Sequence, residues 1–548
     1  MAYRTWAFRE AERLAARQSR NSRRSHPAHP ALPAFELPHS PEDLNHLPSG
    51  GATTRASSEE GVVRPLMIEA GYGPSGLPHL GTVAEVLRSS MVARAYRQLT
   101  GNPVCLVSVT DDLDPLRKIP TNLGQAEALV PWLGSPLCAV PHPELSNQSY
   151  AGANAALLRA RLQAAGLSPV EPDESLVRLR GGDATAPGEV LCVLSSDLYR
   201  SGMHDDWLIR IAVQAEAIAA IVLPTLGAER QRSWCPFLPL HEGRVRTDTY
   251  DWRIVSGSPE NQADAHPNEL TGPGLRDGAG AGLCVADTNT GTAISPPLLE
   301  WTGEDGARRR SRVTGGACKL QWKIDWPMRW ASLGIDFEMH GKDLIDSEAI
   351  GRRVVAMLGA PAPLTMRYEM FLDEEGRKIS KSVGNGISLD EWASQAPASA
   401  LSLFAARDPS RARRISSETV ALAVEDWLQS LTAWHAAERA APVAGAEDSE
   451  TWLAHPHGVP VPPPFSWATI RATAAIADAD DPATVLSLLR SHRPELETDQ
   501  PVLRDLCERA VRLHQQSRGA RMFHVPNQEE AASLRALAAA LAETPETG

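Results

Sequence analysis

"VRPLMIEAGYGPSGLPHLGT", residues 63–82, joins a short apolar run to a turn rich in glycine and proline. An apolar run that ends at glycine is typical of a buried parallel strand. From Thr82 to Leu99, apolar residues recur at helical spacing, and Gly101 follows as a stop. The run "PVCLVSV" at 103–109 predicts a second buried strand. Strand, helix and strand in this order predict a βαβ unit with a right-handed crossover.

The turn at 71–82 is a candidate phosphate-binding site, because the first β-to-α turn of an open parallel sheet is the usual phosphate position. Glycines let the backbone approach a ligand, and prolines restrict the loop. These residues are Gly71, Gly73, Gly76, Pro74 and Pro78. His79, just before the helix, can donate to phosphate oxygens. The bare pattern fits a surface turn better, and its spacing excludes the Walker A and G-x-G-x-x-G motifs.

A second stretch, "KISKS" at 378–382, follows the turn "DEEG" and precedes "VGNG". Two lysines therefore lie on a loop bounded by glycine. A mobile ammonium such as that of Lys381 suits charge that forms only in a transition state, for example on an α-phosphate that becomes five-coordinate. By itself, a K-x-x-K loop is usually a solvated surface.

Composition limits the class of protein. The 548 residues, 43% of them hydrophobic, suffice for several domains, and the net charge of −13 argues against binding nucleic acid or membrane over the whole surface. The seven scattered cysteines form no C-x-x-C pair, which indicates reduced thiols and no structural zinc. No apolar stretch reaches the roughly 18 residues that a membrane helix needs. The arginine-rich start fits either a transit peptide or an amphipathic helix; we favour the helix and predict a cytoplasmic protein.

The two stretches together resemble the paired HIGH and KMSKS signatures of class I aminoacyl-tRNA synthetases. P-x-G-x-x-H-x-G at 74–81 precedes K-I-S-K-S by about three hundred residues. Neighbouring segments narrow the resemblance to the class I lysyl-tRNA synthetases: "DDLDPLRKIP", "LPTLGAERQ", "QWKIDWPMRW", "GKDLIDS" and "FLDEEGRKISKSVGNG". The likeness covers most of the chain, apart from the segments near 18–60 and 255–292.

The resemblance implies an α/β fold with a Rossmann-type parallel sheet, an inserted α/β domain and an all-helical C-terminal domain. The predicted domains are an N-terminal helix with a disordered insert (1–60), the first half of the catalytic domain (61–125), an insertion (126–300), the second half of the catalytic domain (301–400) and a helical region that contacts tRNA (401–548). Segments 322–347 and 366–385 are predicted as strands and loops that return to the first sheet.

The implied reaction is the ATP-dependent attachment of lysine to tRNA(Lys) through a lysyl-adenylate, with release of pyrophosphate and AMP. L-lysine, ATP and tRNA(Lys) are the implied partners, Mg²⁺ arrives with ATP, and a monomer is favoured. Two alternatives stay open: a paralogue that makes an aminoacyl-adenylate for a non-tRNA acceptor, and a catalytically silent RNA-binding relative.

The catalytic residues implied by the resemblance are His79, Lys378 and Lys381. The implied ATP-binding residues are Pro74, Ser75, Gly76, His79, Gly81, Thr82, Ile379, Ser380, Lys381 and Ser382. Thr82 replaces the second histidine of the first signature, and Ile379 replaces the methionine of the second. A hydroxyl can donate to an oxygen but carries no charge.

Lysine selection needs an anionic or aromatic receptor for an ε-ammonium group. Asp111, Asp112 and Asp114 follow the second strand, where a helix cap or pairing with Arg117 and Lys118 is the alternative. Tryptophans at 322, 326 and 330 recur every four residues, which on a helix would give one aromatic face and is typical of core packing. The resemblance indicates the first or the second as a wall of the lysine pocket. The predicted amino-acid-binding residues are Gly71, Gly73, Asp111, Asp112, Trp322, Trp326 and Asp343. Ala317 stands where related sequences usually have histidine.

The basic cluster "RDPSRARR" is a candidate contact for the tRNA backbone, although a run of arginines is by default a solvated surface. The predicted tRNA-binding residues are Arg407, Arg411, Arg413 and Arg414.

Overall fold

The computed structural model describes residues 5–23, 64–120, 125–257, 265–266, 285–286, 293–294, 296–377, 379, 387–440, 448–494, 500–519 and 527–543. The chain divides into two compact units, Met1–Pro462 and Pro463–Gly548. The predicted lysine loop, apart from Ile379, lies outside the described residues, as does most of the predicted N-terminal insert.

The strands within these residues are β1 Leu66–Tyr72, β2 Val104–Thr110, β3 Ser168–Val170, β4 Glu189–Leu194, β5 Phe237–His241, β6 Arg244–Val245, β7 Tyr250–Val255, β8 Ala265–His266, β9 Val285–Ala286, β10 Ala293–Ile294, β11 Leu298–Thr302, β12 Arg308–Arg312, β13 Cys318–Leu320, β14 Phe337–Gly341, β15 Leu364–Tyr368, β16 Phe371–Leu372 and β17 Arg413–Arg414.

The α-helices are α1 Trp6–Arg23, α2 Leu80–Thr100, α3 Tyr150–Ala164, α4 Pro172–Gly181, α5 Ser195–Arg200, α6 Asp205–Val213, α7 Ala215–Val222, α8 Ala228–Arg232, α9 Trp322–Leu333, α10 Ile345–Met357, α11 Leu389–Gln395, α12 Ala398–Ala406, α13 Ser417–Ala440, α14 Glu450–Ala454, α15 Trp467–Ile476, α16 Pro482–His492, α17 Pro501–Gly519 and α18 Gln528–Glu543. Short 3-10 helices span Ala126–Trp132, Leu223–Thr225 and Lys342–Leu344.

A six-stranded parallel sheet forms the centre of the first unit, in the order β15-β14-β1-β2-β4-β3. The predicted βαβ unit is confirmed as β1, α2 and β2, with a register from Leu66↔Val104 to Tyr72↔Thr110. Gly101 ends α2 in the left-handed region at φ 71°, and its N–H donates to the carbonyl of Arg97 at 2.8 Å. Strand order reverses between β1 and β14, so the sheet has a topological switch point there.

Two sequence expectations are corrected by this topology. Strands β3 and β4 lie within the range predicted as an insertion, 126–300, and yet they pair in the central sheet. Residues 322–333, expected as strand and loop, form the helix α9, even though it contains Pro327. Tertiary burial outweighs local propensity in this helix, because Ile324, Trp326 and Trp330 are almost fully buried in the core. The expected return to the sheet is made by β14 and β15.

The remaining sheets are small. Strands β7, β11, β12 and β8 form one sheet and β13, β5 and β6 another, and β11 packs Leu299 and Trp301 into the main core.

The predicted N-terminal helix is confirmed as α1. Trp6 anchors it, since the indole N–H donates to the carbonyl of Ala406 at 2.6 Å.

The second unit consists, within the described residues, of α15 to α18. Asp481 caps α16 by accepting from the Thr484 N–H at 3.0 Å, and Pro482 follows at the first helical position. The unit has a buried apolar core of its own, which includes Trp467, Ile470, Val485, Leu503 and Leu506. The prediction of helices in the last third of the chain is confirmed.

No single helix among the described residues is long and apolar enough to cross a membrane. One pair, Asp205–Val213 with Ala215–Thr225, passes by length and composition when taken together, but it is bent by 78°. Its large apolar side chains, among them Trp207, Ile211 and Ile218, belong to the main hydrophobic core.

Candidate active site

The carboxyl ends of four parallel strands, β1, β2, β14 and β15, bring several of the predicted site residues to one edge of the sheet. The turn at 71–82 follows β1, and Asp111 follows β2. Gly341 ends β14, and Tyr368 ends β15. The Asp111 N–H donates to the Tyr72 carbonyl at 2.8 Å, which ties the ends of β1 and β2 together.

The turn after β1 is held in place and leaves open space beside its glycines. The Tyr72 hydroxyl donates to the Gly76 carbonyl at 2.7 Å, and the Asn154 side-chain amide donates to the Pro74 carbonyl at 3.0 Å. A Cβ atom placed on Gly71 or Gly73 would have no atom within 4 Å. A ligand can therefore approach this backbone closely, as the sequence predicted.

His79 is the N-cap of α2. Its Nδ1 accepts from the Thr82 N–H at 3.0 Å, which satisfies one of the unpaired donors of the first turn. Because Nδ1 is an acceptor, the neutral ring carries its proton on Nε2. The helix therefore selects the tautomer whose Nε2–H can donate to an anionic ligand at the positive end of the helix dipole.

The position of the His79 ring requires glycine at position 81. A Cβ atom at this position would lie 2.9 Å from Cε1 and 3.1 Å from Nδ1 of His79. The family resemblance implies Gly81 as an ATP-binding residue. The structure adds that glycine leaves room for the imidazole itself.

Asp111 joins a buried ion-pair network that sequence reasoning did not anticipate. Arg329 on α9 donates to Asp111 at 2.6 Å, to Glu69 at 2.8 Å and to Asp325 at 2.9 Å. Burial raises the pKa of Asp111 to about 7, although Arg329 opposes the shift. The hydroxyl of Tyr199 also donates to Asp325.

Lys319 extends this network. Its ammonium lies 2.7 Å from Asp114 and 3.9 Å from Asp325, and its side chain is buried. Burial lowers the pKa of Lys319, but the carboxylates, Asp114 first, outweigh it and raise the pKa above the ordinary value. The predicted alternative was pairing with Arg117 and Lys118, whereas the structure pairs Asp114 with Lys319.

Glu69 and Glu338 are buried acids on neighbouring strands, paired in register across β1 and β14. The indole N–H of Trp326 donates to Glu338 at 2.8 Å, and that of Trp330 donates to it as well. Burial and then the charge of Glu69 raise the pKa of Glu338 well above its usual value. Oε2 of Glu69 is buried and accepts no hydrogen bond from the described residues. The sequence signal was a glutamate inside each of two apolar strands, "PLMIEAG" and "DFEMHG".

The tryptophans of α9 differ in exposure. Trp326 is 1% exposed and belongs to the core, whereas Trp322 is half-buried. The two rings stack at 5.3 Å with an interplanar angle of 12°. The guanidinium of Arg329 lies 5.9 Å from the Trp322 ring, so this ring and Asp111 share one cation as a neighbour.

Asp112 has both carboxylate oxygens occupied. It accepts from the Ser196 N–H at 2.7 Å and from the Ser196 hydroxyl at 2.5 Å, at the start of α5. Burial raises the pKa of Asp112 to about 7. This arrangement favours a structural role, which links β2 to α5, over the predicted contact with lysine.

Asp343 lies exposed on the 3-10 helix after β14, and Lys342 pairs with Glu369 at 2.6 Å. A Cβ atom on Gly341 would lie 2.5 Å from Oδ1 of Asp343. The predicted residue is therefore at the ligand edge of the sheet, where glycine gives its carboxylate room.

The predicted lysine loop is described only up to its base. Lys378, Ser380, Lys381 and Ser382 lie outside the described residues. Before them, the Arg377 N–H donates to Asp373 at 2.7 Å and forms a turn. The Ile379 N–H donates to the Phe371 carbonyl at 3.2 Å.

The predicted RNA-binding arginines fall into two pairs. Arg407 is bound to Asp426 at 2.7 Å and to Glu450, and Arg413 donates to the Phe404 carbonyl at 2.9 Å. These two side chains hold helices together. Arg411 is 82% exposed and lies 3.5 Å from Asp408 on the same loop, and Arg414 is also exposed.

Charge and hydrogen bonding define what this edge can bind. The buried network contains two cations, Lys319 and Arg329, against five carboxyl groups: Glu69, Asp111, Asp114, Asp325 and Glu338. Burial raises the pKa of Asp111 and Glu338, so these two groups favour the neutral form until a cation lies beside them. A bound cation would favour their ionisation, so this surplus of carboxyl groups suits a cationic ligand. The capped His79 and the open turn nearby suit an anionic ligand.

Among the described residues, no group of three or more His, Cys, Asp or Glu side chains could hold a metal ion.

Comparison with known proteins supplies independent evidence. The family model of class I tRNA synthetases (K) matches residues 53–174 and 281–454. A lysine–tRNA ligase from Roseobacter denitrificans is 33% identical over 442 residues, which cover 80% of this chain and 71% of that protein. One from Rickettsia akari is 30% identical over 455 residues, 82% of this chain and 74% of that protein. A solved glutamate–tRNA synthetase from Elizabethkingia anophelis has 13% identity and a TM-score of 0.32, with coverage of 83% of this chain and 98% of that one.

Proposed function

Because the chain belongs to the class I lysyl-tRNA synthetase family and is therefore an aminoacyl-tRNA synthetase, we propose that it joins lysine to tRNA(Lys) in two steps. Lysine attacks the α-phosphate of ATP to give lysyl-adenylate and pyrophosphate, and the terminal ribose of the tRNA then displaces AMP. The observation that carries this proposal is the capped His79 in the turn after β1, at the switch point of the sheet, with the acidic network at the end of the neighbouring strand β2.

In the first step, ATP lies along the turn at 71–82, where the glycine backbone is open to a ligand. The Nε2–H of His79 donates to a phosphate oxygen, and Lys381 contacts the charge that develops on the α-phosphate, with Lys378 beside it. No covalent enzyme intermediate is required, since positioning and charge stabilisation supply the catalysis. Mg²⁺ enters on the phosphates of ATP.

Lysine lies next to the buried network. We assign the wall of the pocket to Trp322, because its ring is half-buried, whereas Trp326 is enclosed and its indole N–H is occupied by Glu338. Asp111 and the excess of carboxyl groups behind it attract an ammonium group. The cation would lower the raised pKa of Asp111, so binding and ionisation support each other.

For tRNA, the exposed Arg411 and Arg414 are the proposed phosphate contacts among the predicted cluster. Arg407 and Arg413 support the backbone that presents them. Reading of the anticodon is assigned to the helical second unit on family resemblance. The cytoplasmic location and the monomeric state stay predictions.

One experiment tests the proposal: ATP–pyrophosphate exchange with each amino acid in turn, followed by charging of purified tRNA. We expect exchange with lysine and charging of tRNA(Lys). Exchange without charging supports an adenylate-forming enzyme with another acceptor. The absence of exchange with every amino acid supports a catalytically silent RNA-binding relative.

A further inference from the structure

Glu85 bridges two segments that are distant in the sequence. It lies on α2, the helix that His79 caps. One carboxylate oxygen accepts from the N–H of Gly71, near the end of β1, at 3.0 Å. The other accepts from the hydroxyl of Tyr368, the last residue of β15, which lies 283 residues from Glu85. A single side chain therefore joins the carboxyl ends of the two strands, β1 and β15, that precede the two signatures.

Arg88, one turn further along α2, supports the same tyrosine. Its guanidinium is buried and lies 5.4 Å from the centres of the Tyr368 and Phe371 rings. Its Nε donates to the carbonyl of Ala405 at 3.1 Å. The guanidinium of Arg88 thus contacts the two aromatic rings of Tyr368 and Phe371, and it also contacts the C-terminal end of α12 through Ala405.

The chain after Tyr368 leads directly to the lysine loop. Phe371–Leu372 pairs in parallel with Arg413–Arg414, and the Ile415 N–H donates to the Leu372 carbonyl at 2.9 Å. The turn closed by Asp373 and Arg377 follows. Lys378 comes ten residues after Tyr368. The position of Tyr368 therefore sets where the base of the loop begins.

We propose that Glu85 is a positioning residue, which holds the ATP turn and the base of the lysine loop in one relative arrangement through Gly71 and Tyr368. It does not touch the reacting atoms. The inference rests on the proposed function, because the arrangement matters for catalysis only if ATP lies on the turn and Lys381 reaches it. A displacement of about 1 Å in such a pair costs on the order of 100-fold in rate.

The chemistry of the bridge indicates suitable variants. Glutamine in Glu85→Gln keeps both contacts, since its oxygen accepts from the Gly71 N–H and its amide donates to the Tyr368 oxygen. Glu85→Ala removes both contacts, and Tyr368→Phe removes only the second. Tyr96→Phe is the matched control for Tyr368→Phe. Tyr96 lies on α2, the helix that carries Glu85, and its hydroxyl donates to a side chain, that of Gln18, as the Tyr368 hydroxyl donates to Glu85.

The kinetic test is lysine-dependent ATP–pyrophosphate exchange with the full chain. We expect Tyr368→Phe to lower kcat by about 10-fold and Glu85→Ala by 10- to 100-fold, with the KM for lysine nearly unchanged. Glu85→Gln retains most of the activity, and Tyr96→Phe retains all of it. The double variant Glu85→Ala/Tyr368→Phe is no slower than Glu85→Ala alone, because the two residues act through one contact.

A second measurement does not depend on activity. Hydrogen–deuterium exchange of Glu85→Ala should rise in both segments 71–82 and 369–377, whereas Tyr96→Phe leaves both at the wild-type level. Unchanged exchange in 369–377, or equal loss of kcat in Tyr368→Phe and Tyr96→Phe, overturns the inference. A wild-type protein without lysine-dependent exchange overturns the proposed function instead, while the deuterium result still decides the bridge.

Discussion

His79 performs two tasks with one ring. Nδ1 caps α2 through the Thr82 N–H, and this bond leaves the proton of the neutral ring on Nε2. The stability of the helix and the donor offered to ATP are therefore linked in a single side chain, and a suitable substitution can separate them.

Asparagine is that substitution, because its side-chain oxygen is a strong N-cap but cannot replace the Nε2–H. We expect His79→Asn to keep the thermal unfolding midpoint and to slow lysine-dependent exchange by about 100-fold, the effect of removing one transition-state donor. Calorimetry and exchange kinetics on the same preparation measure both quantities. An unchanged exchange rate with a lowered midpoint would mean that the histidine is only a cap.

The buried carboxyl group of Asp112 should make the stability of the fold depend on pH. Its pKa in the folded chain is raised by burial to about 7 from the ordinary 3.8. Below about pH 4 the Asp112 carboxyl is protonated in both the folded and the unfolded chain. As the pH rises, the unfolded chain releases this proton first. The free energy of unfolding therefore falls, and the loss is complete once the pH has risen through the folded pKa of about 7. Asp112→Asn does not titrate; its oxygen accepts from the Ser196 N–H, and its amide donates to the Ser196 hydroxyl oxygen.

Urea unfolding at pH 5 and pH 8 measures this effect. We expect the loss of unfolding free energy between the two pH values to be smaller in Asp112→Asn than in the wild type by at least about 1 kcal/mol. Asp111 titrates in the same range, so a slope remains in the variant. Equal slopes in both proteins would show that the Asp112 carboxylate is ionised throughout.

At the level of the element, the first turn of α2 depends on close packing between Gly81 and the imidazole. Gly81→Ala places a methyl group 2.9 Å from Cε1 of His79, so the ring must move. We expect exchange to slow by at least about 10-fold, because the donor is displaced from the phosphate. Steady-state kinetics with ATP and lysine varied in turn measure this loss.

The matched control is Gly227→Ala, since this glycine precedes α8 and a Cβ atom there has no neighbour within 4 Å. It should leave the rate unchanged. If both alanine variants had wild-type rates, the position of the ring would not matter for adenylate formation.

At the level of the whole molecule, the two compact units predict separable activities. The unit Met1–Pro462 contains the whole parallel sheet and every described site residue, and Pro463–Gly548 has its own apolar core. A chain that ends at Pro462 should fold, keep lysine-dependent exchange at the wild-type rate and lose most tRNA charging.

Exchange and charging assays on the shortened chain test this expectation, with circular dichroism as a check on folding. Full charging by the shortened chain would show that the helical unit does not contribute to RNA recognition. Loss of exchange in a folded chain would show that the units depend on each other.

The sequence by itself determined the βαβ unit, the turn with its histidine and the helical last third of the chain. Each depends on neighbours within one or two turns of the backbone: the spacing of apolar residues, a glycine stop, or a cap three residues from its partner. Such features are local, and they are visible in the order of the residues. The parallel pairing of β1 and β2 also followed, because a strand, a helix and a strand in this order form a βαβ unit.

Only the tertiary structure decided what the polar residues do. Arg329 meets Glu69 across 260 positions, and Arg407 meets Glu450 across 43, so no local pattern encodes either pair. Burial then changes the chemistry, since the same aspartate is a solvated acid in an exposed loop and a group of raised pKa in the core. The lining of the pocket and the bridge at Glu85 follow from where the strands meet, which long-range packing sets and local propensity does not.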